Sequence, residues 1–134
     1  KVVKAVLPDP MSLAPDYSGK TFIGDLIKGE RNGVETELLV YNISDHEDAF
    51  AETNSQAISY TAGVPAIAAA MLIAKGDWDC HRMANVEELP PVPFLDLLGK
   101  IGLPTRVRDE KGDRAFDPAE FDESRKAQPK VRQA

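Results

Sequence analysis

Cysteine and positive charge are scarce in this chain of 134 residues, and each scarcity excludes a class of protein. The single cysteine, Cys80, excludes an intrachain disulfide and is typical of a reducing, cytosolic setting. A formal net charge of −6, without a basic stripe between aromatic residues, argues against a nucleic-acid partner. The apolar run of residues 65–74 is too short to span a bilayer, and no basic and apolar leader opens the chain, so we expect no membrane association.

Glycine-rich nucleotide-binding motifs are also missing. The chain has neither a Gly-x-Gly-x-x-Gly turn between a strand and a helix nor a phosphate-binding glycine loop that ends in Lys-Ser or Lys-Thr. By itself the chain is therefore not expected to hold a nicotinamide cofactor in the usual way. Ser55 and Ser59 lack the context of a nucleophile elbow, which argues against acyl transfer.

The length allows one modest hydrophobic core but not two independent domains. Periodicity and turn residues predict an α+β fold with a mixed, largely antiparallel sheet packed with helices. The clearest unit is a hairpin of residues 21–28 and 35–43 around the turn Asn32-Gly33. Because both faces of its second strand are apolar, we expect the sheet to be covered on both sides. Further strands are predicted at residues 1–7, 78–86 and 105–108, and helices at 45–52, within 55–75 and at 94–101.

The chain opens at Lys1 on an alternating apolar pattern, which we interpret as a strand already under way. We therefore interpret the chain as a piece of a longer polypeptide, with part of its sheet missing or shared. Removal of a leader or tag ahead of a complete domain is the alternative. We assign residues 1–108 to one domain portion and residues 109–134 to a charged extension whose end we expect to be mobile.

The segment from Ser55 to Lys75 begins with polar residues and continues as small apolar residues that must be buried. Its helix begins either at Pro65, where proline is well tolerated, or near Gln56, in which case the carbonyl of Thr61 loses its donor. In both cases free backbone groups lie close to several hydroxyl groups and a flexible glycine. The residues concerned are Ser59, Tyr60, Thr61 and Gly63.

This turn before Pro65 is the predicted ligand site. We expect Thr61 and the amides after it to bind a carboxylate or phosphate at a helix N-terminus, where orphan N–H groups and the helix dipole favour anions. The alternative is that Gly63 and Pro65 only set the angle at which a core helix begins.

A second polar cluster is the sequence Asp-His-Glu-Asp at residues 45–48, to which Cys80-His81 adds further donors. Ser44 is the predicted N-cap of a helix with these acids in its first turn. The histidine and the last aspartate are two residues apart on a helix and do not converge, so we predict no metal site. Asp45 or His46, at the end of a central strand, could instead face a substrate cleft and transfer protons.

Several motifs together resemble the saccharopine dehydrogenase family, and within it most closely the carboxynorspermidine synthase branch. The matching stretches, in chain order, are Leu7-Pro8-Asp9-Pro10, Gly19-Lys20-Thr21-x-Ile23-Gly24, Val40-Tyr41-Asn42-Ile43-x-Asp45-His46-Glu47, residues 55–65, residues 85–89, and residues 93–98 through 102–104. The resemblance covers roughly residues 3–107 in the right order, which makes it more specific than any single motif.

The resemblance implies an enzyme whose front half is a Rossmann domain for NAD(P) and whose back half is similar to the catalytic domain of glyceraldehyde-3-phosphate dehydrogenase. This chain would be the C-terminal part of that back half. The implied reaction joins an amine to an aldehyde or oxo acid through an imine reduced by hydride, or the reverse, on amino acid or polyamine substrates. The implied partners are the Rossmann half of the same polypeptide and, in a homodimer, a second copy.

The resemblance also implies positions for the candidate site residues. The turn of Ser59, Tyr60, Thr61, Gly63, Val64 and Pro65 would lie at the domain cleft, close to substrate or cofactor. Asp45 and His46 would lie along its wall as candidates for the catalytic role, which the resemblance does not assign.

Two other functions remain open at this stage. One is a non-catalytic module that kept the same fold and uses its sheet for self-association. The other is an independent metal-dependent enzyme that uses His46 and His81. The encoded sequence upstream of Lys1 distinguishes the first from the enzyme, because only the enzyme needs a strand, a glycine turn and a helix there.

Overall fold

The computed structural model describes residues 2–9, 12 and 14–119 and confirms an α+β fold. Its helices are α1 (Val2–Val6), α2 (His46–Thr53), α3 (Ala57–Lys75) and α4 (Pro91–Lys100), with 3₁₀ turns at Ala14–Asp16 and Val86–Glu88. Its strands are β1 (Lys20–Arg31), β2 (Val34–Asp45), β3 (Thr105–Asp109) and β4 (Gly112–Ala115). Within these ranges the four strands form one antiparallel sheet in the order β1-β2-β3-β4.

The predicted hairpin is confirmed and is longer than expected. Its register runs from the pair of Lys20 with Asp45 to the pair of Arg31 with Val34. Asn32 and Gly33 between the strands have φ angles of 55° and 80°, the positive values that a tight two-residue turn requires. Two local signals, the turn residues and the alternation beside them, were therefore sufficient to locate this element.

The apolar pattern predicted a sheet covered on both sides, but this chain leaves both faces of β1 about half exposed. Phe22 and Leu26 on one face are 51% and 55% exposed, and Ile23 and Ile27 on the other are 49% and 52% exposed. The prediction was wrong within the described residues because alternation shows which faces are apolar, not what covers them. Helices α2 and α3 contact β2, and α3 also contacts β1, while the helices pack around a buried cluster of Ala49, Ala57, Tyr60 and Leu103.

The helix α2 begins one residue later than predicted, with Asp45 rather than Ser44 as its N-cap. The Asp45 carboxylate accepts hydrogen bonds from the backbone N–H groups of Glu47 at 2.9 Å and Asp48 at 3.4 Å. Ser44 was the wrong residue because strand pairing continues through Asp45, opposite Lys20, and keeps Ser44 in the ladder.

The long helix α3 takes the earlier of the two predicted starts, with Gln56 as N-cap and Pro65 in its interior. Gly76 ends it with a φ of 81°, the left-handed conformation that glycine commonly adopts at the end of a helix. Among the described residues, α3 is the one helix long and apolar enough to cross a membrane by length and composition. The helix is longer than the apolar run of residues 65–74. Its length and composition are weak evidence for a membrane span, because core helices of soluble proteins meet the same test.

Two predicted strands are absent from their positions. Residues 2–6 of the first are helical, and its valines Val2, Val3 and Val6 are all more than 60% exposed. Residues 78–85 of the second are irregular and Val86 begins a 3₁₀ turn, with polar side chains paired locally, as in the Arg82–Glu88 ion pair at 2.6 Å. Both predictions failed because local alternation cannot supply the neighbouring strand that a ladder needs.

The strand β4 was not predicted and lies in the part assigned to the charged extension. Tyr41 on β2 donates a 2.5 Å hydrogen bond to Asp113 on β4, and the Arg106 guanidinium on β3 contacts the same carboxylate at 2.7 Å. The Tyr41 hydrogen bond, together with Arg106, lowers the pKa of Asp113 from its usual range. Ordered structure therefore continues past residue 108. The predicted mobile end of the chain lies outside the described residues.

Candidate functional site

An open cleft of about 380 Å³ lies along one side of α3, where α2 and the end of α4 approach it. Four apolar side chains and five polar ones line it. The apolar ones are Val64, Ile67, Met71 and Ile101, and the polar ones are Glu52, Thr53, Ser55, Ser59 and Tyr60. An apolar floor with a few convergent polar groups is typical of a small-molecule site.

The polar end of the cleft is organised by Tyr60. Its side chain is buried, with 6% exposed, and its hydroxyl donates to Glu52 Oε2 at 3.1 Å. The carbonyl oxygen of Ile101 lies 3.5 Å from the same hydroxyl. Burial, and then the hydrogen bond to Glu52, raise the pKa of Tyr60 above its usual value of 10.0, so this phenol stays protonated at neutral pH.

Gly102 makes room for this pair. Its φ of +93° is in the region that favours glycine, and a Cβ placed there would overlap the Tyr60 hydroxyl. The same glycine follows the C-cap residue Ile101, where a left-handed residue commonly ends a helix. Glycine at this position therefore leaves the space that the Tyr60 hydroxyl occupies.

The structure gathers four of the six residues of the predicted turn at this cleft: Ser59, Tyr60, Gly63 and Val64. Thr61 lies on another side of α3, is buried, and donates to the carbonyl of Ile58 at 3.1 Å. Pro65 is part of α3 but does not line the cleft. Because α3 begins at Ala57, the amides after Thr61 lie inside the helix and not at its N-terminus. The proximity of these residues to a substrate stays a prediction.

Asp45 and His46 lie outside the cleft and are engaged in structural contacts. Asp45 caps α2 and forms an ion pair with Lys20 at 3.1 Å, and the Lys20 hydrogen bond, followed by the Glu47 amide, lowers its pKa. His46 is 1% exposed, with Nε2 2.9 Å from the carbonyl oxygen of Ala14. Its Nδ1 accepts from the N–H of Ala57 at 3.4 Å, so the proton is assigned to Nε2.

The Cys80-His81 segment lies on another part of the surface. His81 Nε2 is 2.8 Å from Asp79 Oδ1, with both side chains more than 80% exposed. Cys80 is partly buried and contacts the carbonyl oxygen of Arg82 through Sγ at 3.1 Å. Across residues 2–9, 12 and 14–119, no three His, Cys, Asp or Glu side chains are grouped so that they could hold a metal ion.

Sequence reasoning missed Glu52, Ile67, Met71 and Ile101. The signal that could have found two of them is spacing, because Ser59, residue 63, Ile67 and Met71 recur every four residues and share one face of a helix that begins at Ala57. Glu52 and Ile101 come from other helices, and no local pattern links them to Tyr60.

Comparison with known proteins identifies the family. Residues 1–103 match the family model of the saccharopine dehydrogenase C-terminal domain. The chain belongs to the saccharopine dehydrogenase family. The predicted resemblance is therefore confirmed, and the matched residues include the whole of α2, α3, α4 and the hairpin.

Named relatives within this family are enzymes. A carboxynorspermidine synthase of Vibrio alginolyticus is 47% identical over 108 residues, which are 81% of this chain and 26% of that protein. A carboxyaminopropylagmatine dehydrogenase of Synechocystis sp. is 51% identical over 102 residues, 76% of this chain and 26% of that protein. A carboxynorspermidine synthase of Vibrio cholerae is 47% identical over 103 residues, covering 77% and 25%. The chain thus derives from an enzyme family and spans about a quarter of these relatives' length.

Proposed function

We propose that this chain is the C-terminal substrate and dimerisation portion of an NAD(P)-dependent oxidoreductase that acts on CH–NH bonds. The reaction would be the reductive condensation of an amine with an aldehyde or oxo acid, of the saccharopine or carboxynorspermidine type, in lysine or polyamine metabolism. The observation that carries the proposal is the 47–51% identity to a synthase and a dehydrogenase over three quarters or more of the chain. A cytosolic location is part of the same proposal.

The described residues do not fit a nicotinamide dinucleotide by themselves. Their sheet is antiparallel, and no glycine-rich turn joins a strand to a following helix in the way that such cofactors need. The cofactor would therefore be held by a Rossmann half that is not among these residues. What this chain contributes is a surface that binds and orients the substrate.

The cleft along α3 is the proposed substrate-binding surface. Ser59, Tyr60, Gly63 and Val64 would face the substrate directly, while Thr61 and Pro65 shape the helix behind them. For Asp45 and His46 we assign a positioning role, because their side chains hold the ends of β2, α2 and α3 together.

The rest of α3 offers a surface for the nucleotide-holding half. Ile58 and Ile73 on this helix lie outside the cleft and are 57% and 50% exposed, although the helix is almost entirely apolar. Large apolar faces of this kind are rarely left in water by soluble proteins. Since the chain spans only about a quarter of its relatives, we assign this face to contact with the remainder of the polypeptide.

Calorimetry on the isolated chain tests the proposal that the cofactor is bound by another part of the polypeptide. Titration with NADH or NADPH should give no heat of binding, because the glycine-rich phosphate site is not here. The longer polypeptide should bind the cofactor and consume it only when an amine and a carbonyl compound are both supplied. Cofactor binding by the chain alone would contradict the proposal. A reading frame whose upstream part lacks the strand, glycine turn and helix would favour the alternative, a non-catalytic self-association module with the same fold.

For the homodimer we propose that β1 meets a second copy. It is an edge strand of 12 residues in the described sheet, with apolar side chains half exposed on both faces. A long apolar edge is a template for pairing with another chain, and the α3 face already has a proposed partner. Within a symmetric dimer the same strand can serve both copies.

A charged side chain introduced on β1 should prevent the two copies from forming the proposed dimer. Leu26→Glu places a carboxylate on an exposed position of β1, and sedimentation should shift from dimer to monomer. Val86→Glu, which changes an equally exposed residue of a distant 3₁₀ turn, serves as the matched control and should remain dimeric. A monomeric unmodified chain, or a dimer that persists in Leu26→Glu, would exclude this interface.

A further inference from the structure

The cleft along α3 has a carboxylate at one end and apolar side chains along the rest of its length. Glu52 lies at one end, exposed to solvent, and its observed partner is the Tyr60 hydroxyl, which carries no charge. Among the ion pairs formed by the described residues, none involves Glu52. The side chains of Val64, Ile67 and Met71 line the cleft beyond it.

We propose that this cleft binds the protonated amino end of an aliphatic amine, with Glu52 as the counter-ion. The ammonium group would donate to the free oxygen of Glu52, and the Ser59 hydroxyl in the same cleft offers a second acceptor. The methylene groups of the ligand would lie against Val64, Ile67 and Met71, where their removal from water is favourable. This inference rests on the proposed function and deepens it by assigning the amine to particular residues.

Tyr60 acts as a positioning residue for Glu52. Its ring is buried and Gly102 leaves room for its hydroxyl, and the hydrogen bond from this hydroxyl to Glu52 Oε2 holds the carboxylate at the cleft. A carboxylate held in advance loses less conformational freedom on binding than a free surface side chain does. Glu47 lies on the same helix as Glu52, is exposed and does not line the cleft, so it is a suitable control position.

The same arrangement disfavours anions. A dicarboxylate would meet the Glu52 carboxylate without a compensating cation, and a neutral diol would keep a hydrogen bond to that carboxylate but form no ion pair with it. Discrimination between an amine, an alcohol and an acid of equal length is therefore the signature of this cleft.

Nuclear magnetic resonance titration of the full 134-residue chain tests the proposal at physiological salt. Butane-1,4-diamine should shift the Gly63 amide and the Met71 methyl signals with a millimolar dissociation constant, as expected for so small a ligand. Butane-1,4-diol should bind about three- to fivefold more weakly, because its hydroxyl still donates to Glu52 but forms no ion pair with this exposed carboxylate. Butanedioate should produce no shift at these signals.

Matched variants assign the effect to Glu52. Glu52→Gln should weaken diamine binding about three- to fivefold, because the ion pair is lost, whereas Glu47→Gln, with the same loss of charge on the same helix, should leave it unchanged. Tyr60→Phe should weaken it by a smaller factor, and the spectrum of that variant shows directly whether the chain remains folded. Equal weakening by Glu47→Gln, unchanged binding in Glu52→Gln, or equal binding of the diol would overturn the assignment.

The outcome is separable from the proposed function. Amine binding by this chain requires neither cofactor nor turnover, whereas the proposed function is tested by cofactor binding and turnover in the longer polypeptide. A longer polypeptide that turns over while the chain ignores the diamine contradicts only the Glu52 site. A chain that binds the diamine in a polypeptide that does not use NAD(P) contradicts only the proposed reaction.

Discussion

Trp78→Ala is expected to lower the free energy of unfolding by about 3–5 kcal/mol, the largest stability effect predicted for this chain. The indole is 2% exposed, stacks on Phe94 with ring centroids 5.4 Å apart, and donates through Nε1 to the carbonyl oxygen of Pro90 at 2.9 Å. Truncation leaves a cavity between the end of α3 and α4 and removes the partner of a carbonyl. Urea unfolding followed by circular dichroism measures the change.

Two further variants identify the cause. Trp78→Phe keeps an aromatic ring against Phe94 but loses the hydrogen bond, so its free energy of unfolding should lie between those of the wild type and Trp78→Ala. Met83→Ala, in the same irregular segment, removes a side chain that is 99% exposed and should change the free energy of unfolding by less than about 0.5 kcal/mol. If Trp78→Ala and Met83→Ala unfolded at the same urea concentration, the packing described here would be incorrect.

His46→Ala should lower the free energy of unfolding by about 2–5 kcal/mol, because it leaves two buried backbone groups without partners and each costs about 1–3 kcal/mol. The carbonyl oxygen of Ala14 loses Nε2, and the N–H of Ala57 loses Nδ1. The ring also packs edge-on against Tyr17 at 4.8 Å. Thermal unfolding and hydrogen exchange at the Ala57 amide, which should accelerate, are the measurements.

The chain supplies its own control, since His81 is its other histidine. The His81 side chain is 94% exposed, and His81→Ala should leave stability within about 0.5 kcal/mol of the wild type. His46→Asn, whose amide can still accept a hydrogen bond from the Ala57 N–H, should recover part of the loss. A His46→Ala chain as stable as His81→Ala would show that this histidine does not hold the helices, and would return it to the role of a proton-transfer candidate.

The elements predicted correctly are those whose signals are local. Asn32-Gly33 favours the positive φ angles that a tight two-residue turn needs, and both residues have them here. The strand predicted at residues 1–7 had alternation but needed a neighbour, and the chain forms a helix at residues 2–6 instead. The sequence did not predict the strand β4 because Gly112–Ala115 has little apolar content. The strand is held by the contacts of Asp113 with side chains on β2 and β3.

The sequence by itself determined the family and the hairpin, because motif order and turn chemistry depend on neighbouring residues. Only the tertiary structure decided which side of α3 forms a cleft and which residues complete it. Glu52 and Tyr60 are eight positions apart, on two helices separated by a left-handed Asn54, so no helical spacing rule brings them together. Their contact depends on how α2 packs against α3 and on the space that Gly102 leaves, and both are properties of the folded chain.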